Sequence, residues 1–149
     1  MSKRDIIEVK SWRDIPVDFY PGSGVEGIYD SKTGKIYIVK GSPESVKYHE
    51  EYHALKRHPD KPRDFANYVR QEIEAHLYSY GKTGRPKHLL QKLRAIFNDL
   101  IWHVYRVNPR KALDTIRVVI FEEYDVPPGW KEDFFKLRKE SRKIYSQIK

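Results

Sequence analysis

The sequence contains no cysteine. This excludes a disulfide framework and a thiolate zinc site, so histidine and carboxylate side chains are the only strong metal ligands that the chain offers. Long apolar runs are also lacking, since the longest, Val118–Phe121, is far shorter than the roughly 20 residues that span a bilayer. The N-terminus has no apolar stretch of the signal-peptide type. We therefore expect a soluble cytoplasmic protein with no membrane contact.

The chain also has no linker rich in proline, glycine or serine and no glycine-rich phosphate-binding fingerprint. We therefore expect a single domain over residues 1–149, large enough for a core without covalent staples. The net charge is +8, from 29 Lys and Arg against 21 Asp and Glu. Basic residues are mixed with acidic ones, and only residues 136–149 are locally dense, so a nucleic-acid surface is not favoured. Abundant Lys, Glu, Ile and Tyr is typical of thermophile proteins.

Two histidines four residues apart enclose a pair of glutamates in His49–His53, whose sequence is HEEYH. This matches the H-E-x-x-H zinc signature. Residues four apart on a helix lie about 40° from each other around its axis, so His49 and His53 can bind one metal ion from a single face. Glu50 lies beside that face, where its carboxylate can take a proton from water activated by the ion. Glu51 lies about 200° from His49 and is expected to be solvated.

The residues around the signature predict that it lies in the middle of a helix. Ser42 is predicted as the N-cap, with Pro43 at the first helical position and an acid in the first turn. The helix is expected to run from about Ser42 to Arg57 and to end at His58-Pro59. This setting favours a metal site over the alternative, two structural histidines.

A catalytic zinc site usually takes three protein ligands, and the next predicted helix offers candidates for the third. This helix is expected from about Asp60 to Tyr80, with Gly81 as its C-cap. At 100° per residue, Glu72 falls among the apolar and aromatic residues of the inner face. A buried carboxylate is costly unless it is paired or bound to a metal, so Glu72 is the predicted ligand. The alternative is a pair with a basic side chain or with tyrosine hydroxyls.

Two neighbours of Glu72 on this helix are weaker candidates. Glu74 points away from the inner face and is predicted to be a solvated charge that pairs with Arg70, one turn earlier. His76, one turn after Glu72, is a candidate for orienting a ligand or for binding the metal itself. Its alternative is a hydrogen-bonded core histidine.

Strand signals come first in the chain and helix signals follow. A strand is predicted at Ile6–Val9, and a hairpin at Val25–Asp30 and Lys35–Lys40. After residue 81, helices are expected at about 86–107, at 108–124 and from Pro127 to near the C-terminus. This order predicts an α+β fold with a small, antiparallel-containing sheet near the N-terminus packed on helices. The core is expected at about 25–81, with a helical C-terminal extension at about 86–149.

HEEYH at 49–53 and EIEAH at 72–76 together resemble the gluzincin metallopeptidases, whose glutamate ligand lies in E-x-x-A-D or E-x-x-A-N on the helix after H-E-x-x-H. The small cytoplasmic types, the ImmA/IrrE-like proteases and the minigluzincins, are the most similar. Aligned on Ala75, the resemblance also implies a ligand role for Glu72, and it implies a zincin-like helical core and a sheet edge that pairs with an extended substrate. His76 stands where the family has Asp or Asn.

The sequence thus predicts a zinc-dependent metallopeptidase that acts on polypeptides, with Zn²⁺ held by His49, His53 and Glu72 and with Glu50 as general base. The same ligands also accept Co²⁺ or Ni²⁺. One alternative is a metal-bearing, non-proteolytic basic module that binds nucleic acid or a protein partner. Another is a latent protease whose C-terminal helices cover the cleft. The donor for the oxyanion stays open among Tyr52, Tyr78, Tyr80, His88, His103 and Tyr105.

Overall fold

The structure is a computed structural model that describes residues 6–17, 25–59, 62–84, 93–94 and 101–148. A small sheet near the N-terminus is followed by helices, so the expectation of mixed helix and sheet is confirmed. The strands are β1 (Ile6–Val9), β2 (Gly27–Asp30) and β3 (Lys35–Val39). The α-helices are α1 (Glu44–Leu55), α2 (Phe65–Thr83), α3 (Ile101–Val104), α4 (Pro109–Val118) and α5 (Pro128–Ile148). Within the described residues, no helix has both the length and the apolar character needed to cross a membrane.

The sheet has the strand order β1-β3-β2, with β3 in the centre. β2 pairs with β3 antiparallel, which confirms the predicted hairpin, whereas β1 pairs with β3 in parallel. The Asp30 carboxylate fixes the hairpin loop, because it accepts hydrogen bonds from the Lys32 amide (3.1 Å) and the Thr33 hydroxyl (2.9 Å). Gly34 completes the loop at φ 74°, in the left-handed region that favours glycine.

The chain forms two compact units, the first from Met1–Lys61 with Glu74–Arg85 and the second from Pro62–Ile73 with Pro86–Lys149. In the first, α1 packs on β2 and β3. Its buried apolar and aromatic residues are Ile15, Ile36, Tyr37, Ala54 and Ala75, and its buried polar residues are Asp30, His49 and Ser79. The interior of the second is mostly aliphatic and aromatic, with Val69, Ile73, Ile116, Ile120, Trp130 and Phe134 among its most buried residues.

Two predicted helix ends are wrong. The Ser42 hydroxyl donates to the Glu26 carbonyl (3.3 Å), and α1 begins only after Pro43, so Ser42 is not the N-cap. α2 continues past Gly81 as far as Thr83. The residue that follows, Gly84, has φ 69°, which is the conformation that commonly ends a helix.

Other helix ends follow the sequence more closely. The Asn108 side chain accepts a hydrogen bond from the Lys111 amide (2.8 Å), so the predicted start of α4 is confirmed. This helix continues as a π-helical turn at Val119–Glu123. The Asp64 carboxylate accepts from the Asn67 amide (2.8 Å) just ahead of α2, whereas Asp60 lies outside the described residues. Most of the helix predicted at 86–107 also lies outside them, apart from the helical residues 93–94 and 101–104.

Candidate metal centre

Helix α1 carries the signature and packs on β2 and β3. Its buried residues are His49, which is 9% exposed, and Ala54. β2 approaches this helix closely at Gly27, where an added Cβ would lie 2.7 Å from Val46 Cγ1 and 3.3 Å from Glu50 Cγ. A side chain at position 27 would therefore displace the helix or the Glu50 side chain, and glycine keeps Glu50 in place.

The structure brings three of the predicted site residues together. Ligand atoms of His49, Glu50 and His53 all lie within 4.8 Å of one another. The Nε2 atoms of His49 and His53 are 3.2 Å apart. Two nitrogen ligands at about 2.0–2.1 Å from one tetrahedral ion are separated by about 3.3 Å, so the spacing of the two imidazoles fits one shared metal ion.

Two further histidines surround this pair in the first unit. The ring of His76 lies 4.4 Å from that of His49, measured between centroids, so the predicted orienting residue touches a predicted ligand. His58 lies on the other side, with its Nδ1 2.8 Å from Nδ1 of His53. From the sequence, His58 was predicted only as part of the end of α1. Its position directly after a helix that already carries two histidines was a sequence signal for a role near them.

Tyrosine–glutamate hydrogen bonds connect α1 with the last part of α2. The Tyr52 hydroxyl donates to Glu74 (2.6 Å) and the Tyr78 hydroxyl donates to Glu51 (2.9 Å). The two rings lie 5.3 Å apart. Burial, reinforced by the carboxylate partner, raises the pKa of Tyr52 and that of Tyr78. Both phenols therefore stay protonated as donors well into the alkaline range.

These hydrogen bonds overturn two expectations about charge. Glu51 and Glu74 are half-buried and accept hydrogen bonds, so neither is the solvated charge that helical phase predicted. Arg70, the expected partner of Glu74, donates to Glu123 (2.7 Å) within the second unit. Helical phase predicts which residues share a face of one helix. It cannot predict that a tyrosine of the neighbouring helix will donate a hydrogen bond to a glutamate on that face.

Glu72 belongs to the part of α2 in the second unit, where it is 8% exposed. Its burial agrees with the helical phase, and its role as a metal ligand stays a prediction. Tyr105, one candidate for oxyanion donor, is also in the second unit and donates to the Pro62 carbonyl (3.0 Å). His103 is exposed, and His88 lies outside the described residues.

Comparison of the chain with protein-family models, with curated proteins and with solved structures finds no match. The resemblance to gluzincins thus depends on the residues alone, and the geometry adds a His-Glu-His group able to bind a metal ion.

Proposed function

We propose that this protein is a zinc-dependent peptidase with a zincin-like core of the gluzincin type. The observation that carries the proposal is the 3.2 Å separation of the His49 and His53 Nε2 atoms, with Glu50 in the same ligand group. These two histidines would hold the ion. The sequence pattern predicts Glu72 as the third ligand.

Zn²⁺ supplies Lewis acidity when it is bound, activating water near neutral pH and polarising the peptide carbonyl. Glu50 is the general base in this proposal: its carboxylate takes a proton from the attacking water and later delivers it to the leaving amine. Gly27 supports this role of Glu50. Because Gly27 has no side chain, the Glu50 Cγ methylene can lie close to β2 at this position.

The proposed substrate is an extended polypeptide segment. Among the described strands, β2 lies at an edge of the sheet and packs on α1. An edge strand presents backbone donors and acceptors that an extended peptide can pair with. This position supports a peptide substrate held alongside the helix that carries Glu50.

Metal content is the first test. We expect near-stoichiometric Zn²⁺, measured by elemental mass spectrometry, in protein purified without chelator. Glu72→Ala should lose the metal, and Glu122→Ala, the control at an exposed carboxylate of the second unit, should keep it. Wild-type protein that carries no metal and takes up none on addition of Zn²⁺ would contradict the proposal.

Proteolysis is the second test, with denatured casein as the probe. Glu50→Gln should retain Zn²⁺ and lose activity by at least about 100-fold, the usual scale for removal of a general base. Full activity of this variant with its zinc bound would exclude Glu50 as the base.

A second candidate function is a metal-bearing binding module for nucleic acid. Three lysine amino groups lie over tyrosine rings in the first unit, at Lys47–Tyr48 (5.0 Å), Lys56–Tyr52 (5.8 Å) and Lys82–Tyr78 (5.5 Å). Aromatic and basic side chains together are what single-stranded nucleic acids bind. Such binding should weaken steeply as salt rises. A fluorescent oligonucleotide whose anisotropy does not respond to the protein in low salt would remove this candidate.

A further inference from the structure

The chain leaves helix α1 through a turn that brings a histidine back against the helix. Arg57 adopts φ 52°, a left-handed conformation that is strained for a residue with a Cβ. The Arg57 amide donates to the Ala54 carbonyl (3.1 Å) and the His58 amide donates to the His53 carbonyl (3.0 Å). This is a helix-ending motif in which glycine is usual at the left-handed position. The backbone of His58 is thereby fixed beside His53.

The side chains of these two residues meet at a hydrogen-bond distance. His53 Nδ1 and His58 Nδ1 are 2.8 Å apart, which is the length of a direct hydrogen bond. The Nε2 atoms of His49 and His53 are 3.2 Å apart, close to the separation of about 3.3 Å for two nitrogens on one zinc ion. His53 thus has one nitrogen spaced for a shared ion and the other spaced for a hydrogen bond.

We propose that His58 is a positioning residue for the metal centre: it accepts a hydrogen bond from Nδ1–H of His53 and so holds the Nε2 lone pair of His53 toward the ion. The inference rests on the proposed zinc site. Zinc-bound histidines usually donate their second ring N–H to a carboxylate or a carbonyl, which fixes tautomer and orientation. In this chain the His58 imidazole is the acceptor, and its own proton is on Nε2.

Tyr52 of helix α1 lies against His58 and is itself hydrogen-bonded to α2. The ring of Tyr52 lies 5.8 Å from the ring of His58, and the Tyr52 hydroxyl donates to Glu74 (2.6 Å). A continuous series of contacts therefore runs from Glu74 through Tyr52 and His58 to His53. This support limits the rotation of the His58 ring, as a positioning role requires.

The test compares His58→Phe, which keeps a ring but removes the acceptor, with His58→Gln, whose carbonyl oxygen can accept the same hydrogen bond. Zinc affinity is measured by competition with a chelating dye. We expect a loss of about 10–100-fold in His58→Phe, the usual scale for losing a partner of a metal ligand, and recovery of part of it in His58→Gln. His103→Phe, at an exposed histidine of the second unit, is the matched control and should bind zinc as the wild type does.

A second readout uses the zinc-free protein. The ¹⁵N shifts of His53 should show the proton on Nδ1 in the wild type and a shift of the population toward Nε2–H in His58→Phe. Wild-type affinity in His58→Phe, or a wild-type His53 that carries its proton on Nε2, would overturn the role of His58 while the zinc site itself stands. Wild-type protein that binds no zinc would overturn both. If His58→Phe does not fold, the wild-type tautomer and the affinity of His58→Gln decide the matter.

Discussion

Helices α1 and α4 are similar in length but differ in the side chains that they bury. α4 buries Ala112, Leu113 and Ile116, as a helix on an apolar core does. α1 buries His49 and Ala54. Each buried aliphatic side chain contributes about 1.5–3 kcal/mol through removal of its surface from water, so α1 gives up stability that α4 gains. In the proposed zinc site, the buried imidazole of His49 would bind the ion.

The two helices also differ in how neighbouring side chains support them. α4 begins with an ordinary cap, the side chain of Asn108. In contrast, the second half of α1 is joined to α2 by hydrogen bonds between side chains, from Tyr52 to Glu74 and from Tyr78 to Glu51. Directional contacts of this kind hold side chains at defined positions, which apolar packing alone does less strictly. The comparison therefore contrasts a helix held by apolar packing with one held in part by hydrogen bonds between side chains.

The largest effect is expected on the apolar side of this comparison. Ile116 is fully buried, so Ile116→Ala should lower the free energy of unfolding by about 2–5 kcal/mol through lost burial and an added cavity. Chemical denaturation measures the change. Lys111→Ala, at an exposed position of the same helix, should stay within about 0.5 kcal/mol of the wild type. Equal effects of the two substitutions would contradict close packing around Ile116.

The next largest effect is expected from zinc at the proposed site. At a free concentration 100 times its dissociation constant, Zn²⁺ should stabilise the wild type by about 2.7 kcal/mol. Thermal unfolding with and without zinc measures this increment. His49→Ala should lose it, whereas Ile116→Ala, although less stable, should keep it. An increment that survives in His49→Ala would place the stabilising ion away from α1.

A methyl group at position 27 should disturb α1 by about 1–3 kcal/mol, since an added Cβ would lie 2.7 Å from Val46 Cγ1. Gly27→Ala should also lower the proposed proteolytic activity through displacement of Glu50. Gly81→Ala is the control, because a Cβ there meets nothing within 4 Å; inside a helix it should stabilise by about 0.5–1 kcal/mol. A Gly27→Ala variant with wild-type stability and activity would show that the helix can shift without consequence.

The smallest effect concerns the tyrosines and their response to alkaline pH. Tyr52→Phe and Tyr78→Phe should each cost about 1 kcal/mol at pH 7 through loss of a hydrogen bond. Folding raises the pKa of both phenols, so their contribution is complete below about pH 10 and is lost as the pH rises further. The double variant should therefore lose less stability than the wild type between pH 9 and 11. Parallel curves of unfolding free energy against pH would contradict the assignment.

Local patterns were sufficient to predict much of the fold. Alternating β-formers around Gly34 gave the hairpin, and Asn108 marked the start of α4, because each signal acts over a few residues. Helical phase predicted that Glu72 is buried. The predicted end of α2 was wrong because two glycines lie near it. Gly81 lies inside the helix, whereas Gly84 takes the left-handed conformation that ends a helix (φ 69°).

The surroundings of the candidate metal centre were harder to predict, since they depend on contacts between elements. The partners of Glu51 and Glu74 come from another helix, so the spacing of residues along one helix cannot show them. His58 comes close to His53 because Arg57 takes a left-handed conformation, which the sequence does not predict for an arginine. The signature predicted the ligands, whereas the side chains around them depend on tertiary structure.

The mixed pairing of the sheet has a consequence for the order of folding. β2 and β3 are joined by a short loop, and hairpins of this kind form within about 1–10 μs. β1 pairs with β3 in parallel, and a long stretch of chain separates the two strands. Closing this longer loop carries a larger entropic cost than closing the hairpin loop. We therefore expect the hairpin to form early and β1 to add to its exposed edge later, so that β3 is for a time open to pairing with another chain. Crowded refolding conditions would expose the protein to aggregation at this step, before the edge is covered.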